Sequence, residues 1–334
     1  MKRFKNLIIY GSLILIGIFL LWLKFTDPNY VVIRQIEVEV PPKFAYEYLL
    51  NVEKRANWSP WEKETENLER IYSLNPIGEK ANYRWTDAKG EKLGELTILK
   101  AKQDKEIDIQ VNYFESAHKD LEIEWTFTRV GTKTLLDWEV KTKTSFLGRI
   151  GKGEVIQTMG NTLDESLNLL KIELEEAYLA VMPEIKDGYF PYKNFLSVTK
   201  TIAKSRLGDR AFVWPNIEKI QAYMQEKGYE QDGAPITIFH SENKANQTVE
   251  IAVPVKGNSI EGNGDIVPTL IVGEVYYVEF QGPHHELDDV RYYLEDYIIK
   301  NDLGVCCDPL EEYVVMPSDK VIGSQLVTKI YFPK

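Results

Sequence analysis

The sequence predicts an α+β protein in which an N-terminal transmembrane helix precedes two domains built on antiparallel sheets. Three observations lead to this fold class. Residues 7–23 form an uncharged apolar run, apolar and polar residues alternate in many short segments between residues 31 and 140, and an order of strand, helix, strand and strand occurs twice after residue 187. A length of 334 residues is enough for two domains of ordinary size.

The apolar run at residues 7–23 predicts a single membrane-spanning segment. As an α-helix it would extend for about 26 Å, close to the ~30 Å hydrocarbon core of a bilayer. Lys2, Arg3 and Lys5 precede it, and this excess of basic residues predicts a cytoplasmic N-terminus. The alternative is a cleaved signal peptide, but the run ends in bulky side chains instead of the small residues at which such peptides are cut. We therefore expect an uncleaved membrane anchor over residues 1–28, the membrane as a partner, and the later domains outside the cytoplasm.

The next segment, residues 29–182, predicts one antiparallel sheet and two helices. A strand around residues 32–40 and a short helix at 44–50 come first, and a long helix at 156–178 comes last. Between them the period-two alternation is typical of half-buried strands. Its apolar sets are Tyr83 with Trp85, Ile107 to Tyr113, Leu121 to Phe127, and Leu136 to Val140; the long helix is expected to bury Leu163, Leu167, Leu170, Ile172 and Leu174.

Two motifs in this segment resemble the START-like, polyketide-cyclase-like superfamily. Trp58-Ser59-Pro60-Trp61 follows the first helix, and Gly78 precedes Tyr83 and Trp85 in a Gly-x-x-x-x-Tyr-x-Trp spacing. The resemblance implies a helix-grip fold, in which the sheet curls around the C-terminal helix. It also implies a hydrophobic cavity for a lipid-like or polycyclic ligand, and it implies no reaction.

The aromatic residues of this segment have two interpretations, packed core or cavity wall. They are Trp58, Trp61, Trp85, Trp125 and Trp138, of which we select Trp85 and Trp125 as candidate ligand-binding residues. His118 lies among polar residues in an apparent hairpin turn, so we expect it at the surface.

The last segment, residues 187–334, predicts an internal repeat after a boundary marked by Pro183 and Gly188. Each copy has the order strand, helix, strand, strand, which makes one sheet with helices on one face. The first copy comprises residues 192–203, 214–227, 235–240 and 249–255, and the second comprises 269–281, 283–300, 310–316 and 326–332.

The second copy resembles the gyrase-inhibitor-like domain, also known as the effector-binding domain of AraC-type regulators. The residues that carry the resemblance are a Gly-Pro turn at 282–283, Glu311 and Tyr313 in a Glu-x-Tyr strand, and Thr328, Ile330 and Pro333 in the last strand. His284 departs from the pattern, because the family usually has an aromatic residue after Gly-Pro. The resemblance implies a small-molecule-binding domain and assigns its site to Glu311, Tyr313 and Thr328.

Glu311 is the most informative of these candidates. A carboxylate in an apolar pocket costs several kcal/mol unless something pairs with it, and a cationic ligand is one such partner. The alternative is an exposed strand carboxylate, or one paired with a nearby lysine. Tyr277 and Phe280 precede the Gly-Pro turn and could stack on a flat ligand, whereas Glu312 faces the other side of its strand and is expected in solvent.

Other classes of chemistry have little support in the sequence. The formal net charge is −11, and there is no basic run or helix-turn-helix pattern, so we expect no nucleic-acid partner. No nucleophile elbow, phosphate loop or dinucleotide fingerprint occurs, and we expect no metal and no cofactor. The adjacent Cys306 and Cys307 are expected to be two unpaired thiols.

These observations favour a binding protein over an enzyme. The sequence-based hypothesis is a membrane-anchored protein that senses or sequesters hydrophobic or cationic amphipathic small molecules. Two alternatives remain open: a hydrolase that acts on reactive small molecules through a pocket carboxylate, and a scaffold with vestigial pockets.

Overall fold

The computed structural model describes residues 2–59, 68–114, 120–144, 146–192, 194–208, 210–243, 245–257, 260–318, 321 and 323–334, without the side chains of residues 2–9, 147, 241 and 242. Trp61 of the tryptophan motif and His118 lie outside this description. The chain divides into two compact units, Met1–Ala180 and Val181–Lys334. Both contain an antiparallel sheet with helices, so the predicted α+β class is confirmed.

The first unit begins with helix α1, Lys2–Phe25. In the part of the chain that the structure describes, no helix combines the length and the apolar character needed to cross a membrane. The predicted transmembrane helix, the membrane as a partner and the single-pass topology are therefore wrong. The C-terminal end of α1 packs against its own unit, where Leu23 is fully buried and Arg149 donates a 2.7 Å hydrogen bond to the Leu23 carbonyl.

A seven-stranded sheet forms the body of the first unit, in the order β1-β7-β6-β5-β4-β3-β2. Every neighbouring pair is antiparallel, as the period-two alternation predicts. The elements after α1 are β1 (Asn29–Val38), α2 (Pro42–Leu50), α3 (Arg55–Trp58), β2 (Glu69–Tyr72), β3 (Asn82–Thr86), β4 (Lys92–Lys102), β5 (Glu106–Tyr113), β6 (Leu121–Val130), β7 (Lys133–Lys143) and α4 (Lys152–Val181).

The long helix α4 buries one stripe and is tied to the rest of the unit by polar contacts. Leu163, Leu167, Leu170 and Leu174 are buried at three-four spacing, as predicted. Ile172 is exposed, which corrects the prediction: two positions after Leu170, it lies on the far side of the helix. Arg34 forms an ion pair with Asp164 (2.9 Å), and the Tyr48 hydroxyl donates to Glu173 (2.5 Å).

The second unit contains an eight-stranded antiparallel sheet in the order β12-β9-β11-β10-β14-β15-β13-β8. The two copies of strand, helix, strand and strand meet at its centre, where β10 pairs with β14. Its elements are β8 (Lys186–Tyr189), β9 (Asn194–Ala203), α5 (Val213–Lys227), β10 (Ile236–Glu242), β11 (Asn246–Pro254), β12 (Val267–Leu270), β13 (Glu274–Gln281), α6 (Leu287–Lys300), β14 (Leu310–Val315) and β15 (Val327–Pro333).

The first strand of the second copy differs from the prediction. The sequence predicts one strand over residues 269–281, but the structure has β12 and β13 at different places in the sheet. Gly273 interrupts them with a φ of +144°, a conformation that side-chain-bearing residues rarely adopt. β12 pairs with β9, and β13 pairs with β15.

The sheet of the second unit is buried on both faces. We call the side covered by α5 and α6 the helix face; its core includes Ile251 and Ile330 at equivalent positions of the two copies. The opposite side, which we call the second face, has a smaller core in which Ala252 and Tyr331 are equivalent, covered by Phe190. Consecutive residues of a central strand therefore enter two different cores.

Candidate functional site

The first unit encloses a cavity of about 690 Å³ between its sheet and the N-terminal half of α4. This volume is within the ~300–1,000 Å³ of pockets that hold small organic molecules. The lining is mostly aromatic and aliphatic: Tyr30, Arg55, Ser59, Leu68, Arg70, Tyr83, Trp85, Leu93, Leu96, Val111, Tyr113, Leu121, Glu154, Val155, Thr158, Met159 and Thr162.

Trp85 is a wall residue of this cavity, and a glycine determines where its ring lies. Gly94 pairs with Trp85 across β3 and β4. A Cβ atom at Gly94 would come within 2.1 Å of the indole, so the ring lies directly over the glycine. Tyr83 and Tyr113 flank it, with ring centroids 5.7 and 5.8 Å away. The candidate Trp85 therefore lines the cavity.

Trp125 occupies a different environment. It is fully buried, stacks on Trp138 with centroids 4.6 Å apart, and meets the edge of Trp58 at 6.0 Å. None of these three rings is among the residues that line the 690 Å³ cavity. They form a solid aromatic core, so the two interpretations of the tryptophans apply to different residues.

In the second unit, Glu311 is fully buried on the helix face beside Arg210, which is also fully buried. The guanidinium binds both carboxylate oxygens, with Nε 2.9 Å from Oε2 and Nη2 2.7 Å from Oε1. Asp288, at the start of α6, accepts a further bond from Nη2 at 2.8 Å, and the Leu207 carbonyl accepts one from Nη1. Bidentate arginine–carboxylate pairs are among the strongest charge-assisted contacts in proteins. The carboxylate that the sequence assigns to a cationic ligand is therefore neutralised by the chain itself.

Tyr313 and Thr328, the other two residues that the resemblance assigns to the site, lie beside this pair. The Tyr313 hydroxyl donates to Glu311 Oε2 at 3.0 Å and is 3.1 Å from the hydroxyl of Thr237. Burial, together with the Glu311 charge, raises the pKa of Tyr313 well above its usual value. Thr328 is opposite Tyr313 in β15, and its buried hydroxyl has no hydrogen-bond partner among the described residues.

His284, the departure from the family pattern, is buried in the same region. Its ring centroid is 5.4 Å from that of Trp214 and 5.5 Å from that of Tyr313. Burial lowers the pKa of His284, with a smaller opposing effect from Glu311, so the imidazole is neutral near pH 7. His284 is buried, whereas the next residue, His285, is exposed.

The other two candidates of this unit lie on opposite sides of the sheet. Phe280 packs against the core of the helix face, and Tyr277 lies on the second face, where it stacks on Tyr331 at 5.5 Å. Their odd spacing in β13 separates them. The structure therefore does not bring Tyr277 and Phe280 together around one ligand.

Two features of this site escape sequence reasoning. Arg210 is 101 residues before Glu311 and belongs to no motif, so only the tertiary fold reveals the pair. Glu312 is 3% exposed, which corrects the expectation of a solvent position, and it accepts a 2.5 Å hydrogen bond from the Tyr331 hydroxyl. Because the sheet has a core on each face, the side chains of Glu311 and Glu312, which point to opposite faces of β14, are both buried.

The second face also holds a chain of polar contacts around His240. Its Nδ1 is 2.7 Å from Asp308 Oδ2, and its Nε2 is 3.0 Å from Glu250 Oε2. Thr269 donates to the other Glu250 oxygen at 2.6 Å. Desolvation lowers the pKa of His240, but the hydrogen bonds to Asp308 and Glu250 outweigh it, and the net pKa is raised.

The cysteines form a disulfide, so the prediction of two unpaired thiols is wrong. Cys306 and Cys307 are bonded to each other in an exposed loop before β14. Across the described ranges, no three histidine, cysteine or carboxylate side chains are grouped as a metal site.

No family model matches the chain, and no curated protein matches it. Its fold is similar to solved structures that include the C-terminal domain of EcmrR, 18% identical with a TM-score of 0.41 over 46% of this chain and 98% of that one. An EcmrR–DNA complex is 14% identical with a TM-score of 0.41, covering 58% of this chain and 85% of that one. The protein TTHA0849 from Thermus thermophilus is 19% identical with a TM-score of 0.34, covering 44% and 99%.

Similarities with such low sequence identities and TM-scores assign neither a family nor an activity to the chain. The sequence predicts no nucleic-acid partner for this chain, and one of the similar structures is a complex with DNA. That DNA is bound by EcmrR.

Proposed function

We propose that this protein binds a hydrophobic small molecule in the cavity of its first unit. The observation that carries the proposal is a 690 Å³ space lined by aromatic rings and aliphatic side chains. Well-packed protein interiors leave few voids larger than a water molecule. A space of this size with an apolar lining is the usual form of a ligand site. The START-like motifs around Trp58 and Trp85 support the same function.

The contacts of Glu311 in the second unit indicate a structural role for its carboxylate. A hydrolase acting through a pocket carboxylate, or a receptor for cations, requires Glu311 to be available to a ligand. Arg210 already binds both of its oxygens, and a cationic ligand would have to displace a fully buried guanidinium. We therefore propose that the Arg210–Glu311 pair is structural, which favours binding in the first unit over catalysis in the second.

The domain boundaries 29–182 and 187–334 remain part of the proposal. α4 ends at Val181 and β8 begins at Lys186, so the segment between them is short and lies outside both sheets. Division of the chain into compact units at Ala180 and Val181 supports a boundary there.

The test is saturable binding of a polarity-sensitive lipophilic dye by the full chain, with native mass spectrometry to detect any molecule that co-purifies. Met159→Trp should fill the cavity, because Met159 lines it from α4. We expect this variant to lose most of the dye affinity and to keep the far-UV spectrum of the wild type.

Leu179→Trp is the matched control, since it adds the same ring at an exposed position of the same helix. It should bind the dye like the wild type. Absence of saturable binding by the wild type would overturn the proposal, and so would full binding by a folded Met159→Trp variant.

A further inference from the structure

We propose that the ligand of the first-unit cavity is an amphipathic carboxylic acid, bound with its carboxylate at Arg55 and Ser59 and its apolar body among the aromatic rings. This inference rests on the proposed function and names the ligand class for that site. It is carried by the arrangement of the few polar groups that line the cavity.

Arg55 provides the positive charge at the closed end. It is the first residue of α3, 9% exposed, and it lines the cavity. Its guanidinium lies 5.1 Å from the ring of Trp58, which holds the planar group against the tryptophan core. A guanidinium offers five N–H donors in a fork that matches the two oxygens of a carboxylate.

Ser59 supplies a second donor to the same place. It directly follows α3, and its backbone N–H donates to the Arg55 carbonyl at 3.0 Å, so the two residues lie one helical turn apart. Ser59 is fully buried and also lines the cavity, yet its hydroxyl has no hydrogen-bond partner among the described residues. Buried hydroxyls are normally satisfied, and an oxygen of a bound ligand would satisfy this one.

The polar groups on α4 fix the orientation. Glu154 and Thr158 line the cavity from the N-terminal turns of α4, and both are exposed to solvent, which places them at the mouth. A carboxylate at that end would meet the like charge of Glu154, whereas at the inner end it meets Arg55. Arg70 of β2, a second and half-buried arginine, also lines the cavity, so the lining favours an acid, and the deeper burial of Arg55 favours the carboxylate at that end.

The wall between these ends accepts an extended apolar body. Tyr83, Trp85 and Tyr113 form a continuous row of rings, and Leu93 and Val111 add aliphatic surface. The same rings would attract an ammonium group in isolation. The guanidinium of Arg55 at the closed end opposes that charge, so an amine does not bind with its head inward as the acid does.

The experiment compares three probes with one dansylated undecyl body and a carboxylate, a methyl ester or an amine at its end. Their dissociation constants are measured on the full chain by fluorescence. We expect the acid to bind at least ten-fold more tightly than the ester, and the amine to bind no better than the ester. Arg55→Met should reduce acid affinity to that of the ester and leave ester affinity within two-fold, and Ser59→Ala should weaken the acid three- to ten-fold.

Two further variants keep the result interpretable. Arg55→Lys retains the charge, so it should keep a preference for the acid even if the methionine variant loses its fold. Arg84→Met removes an exposed arginine from β3, and it should change none of the three affinities. If none of the probes binds the wild type, the proposed function fails. Binding without a preference for the acid overturns the ligand class alone, and an acid preference that survives in a folded Arg55→Met variant overturns the assignment of the carboxylate to Arg55.

Discussion

Each unit has a buried arginine, and the two arginines have different surroundings. Arg210 in the second unit is enclosed and neutralised by Glu311 and Asp288. Arg55 in the first unit borders a cavity of about 690 Å³. A buried charge requires polar partners. Where protein encloses the charge on all sides, those partners come from the chain alone, whereas a charge beside a cavity can also take a ligand as a partner. This difference in access separates a structural ion pair from a binding site.

The largest expected effect tests whether Arg210 is structural. Arg210→Met leaves Glu311 buried without a counter-charge, and breaking a buried pair from one side costs about 3–5 kcal/mol. We expect the second unit to lose that much unfolding free energy in urea. Trp214 is the only tryptophan after residue 181 and packs on Tyr313, so its resonance in the ¹⁹F NMR spectrum of the fluorotryptophan-labelled protein reports on this unit.

Two comparisons sharpen that measurement. Arg206→Met changes an exposed arginine of the same loop, and it should have little effect on stability. Arg210→Met with Glu311→Gln removes both charges and should recover part of the loss. A single Arg210→Met variant as stable as the wild type would contradict the structural role.

The second prediction concerns the two tryptophans that the sequence treats alike. Trp125 is fully buried in a ring cluster, so Trp125→Ala should cost the first unit about 3–5 kcal/mol by leaving a void. Trp85 faces an existing cavity, so Trp85→Ala should cost clearly less stability and should weaken dye binding. The measurement pairs urea unfolding with dye titration for both variants, and equal stability losses would show that Trp85 is ordinary core.

A third, smaller effect follows from the glycine below Trp85. Gly94→Ala places a Cβ where the indole now lies, at 2.1 Å, so the ring must move within the cavity. We expect a several-fold change in dye affinity, with a modest loss of stability of about 1–2 kcal/mol. Gly153 in α4 has no neighbour within 4 Å of a Cβ position, so Gly153→Ala should leave affinity unchanged. Equal affinities in the two variants would mean that the position of the indole is irrelevant to binding.

The sequence predicts the local elements well because period-two and three-four spacing reflect burial directly. The strands from β5 to β7 and the buried leucines of α4 follow from those patterns. The Gly273 break, the burial of Glu312 and the Arg210–Glu311 pair do not, because each depends on which distant segment covers a strand. The candidate site is predictable to the same extent: Trp85 is placed on a cavity wall, but nothing local distinguishes it from Trp125.

The smallest expected effect is the pH dependence that His240 gives the second unit. Its pKa in the folded state is raised by Asp308 and Glu250, against an opposing effect of desolvation. A raised folded pKa contributes stability that is fully present below the unfolded value of ~6.5 and is lost as the pH rises through the folded value. His240→Gln should therefore destabilise the unit more at pH 6 than at pH 9. The difference should be about 0.5 kcal/mol, because the ring is partly exposed and solvent screens the charges.

Glu250, with a lowered pKa, keeps its charge over this range, since its own contribution is lost only as the pH falls below its usual value. Urea unfolding of the wild type and the variant at the two pH values, followed by the Trp214 signal, measures the difference. The control is His285→Gln, because His285 is an exposed histidine of the same unit. A variant that loses more stability at pH 9 than at pH 6 would mean that His240 is held neutral between the two carboxylates and does not act as their counter-charge.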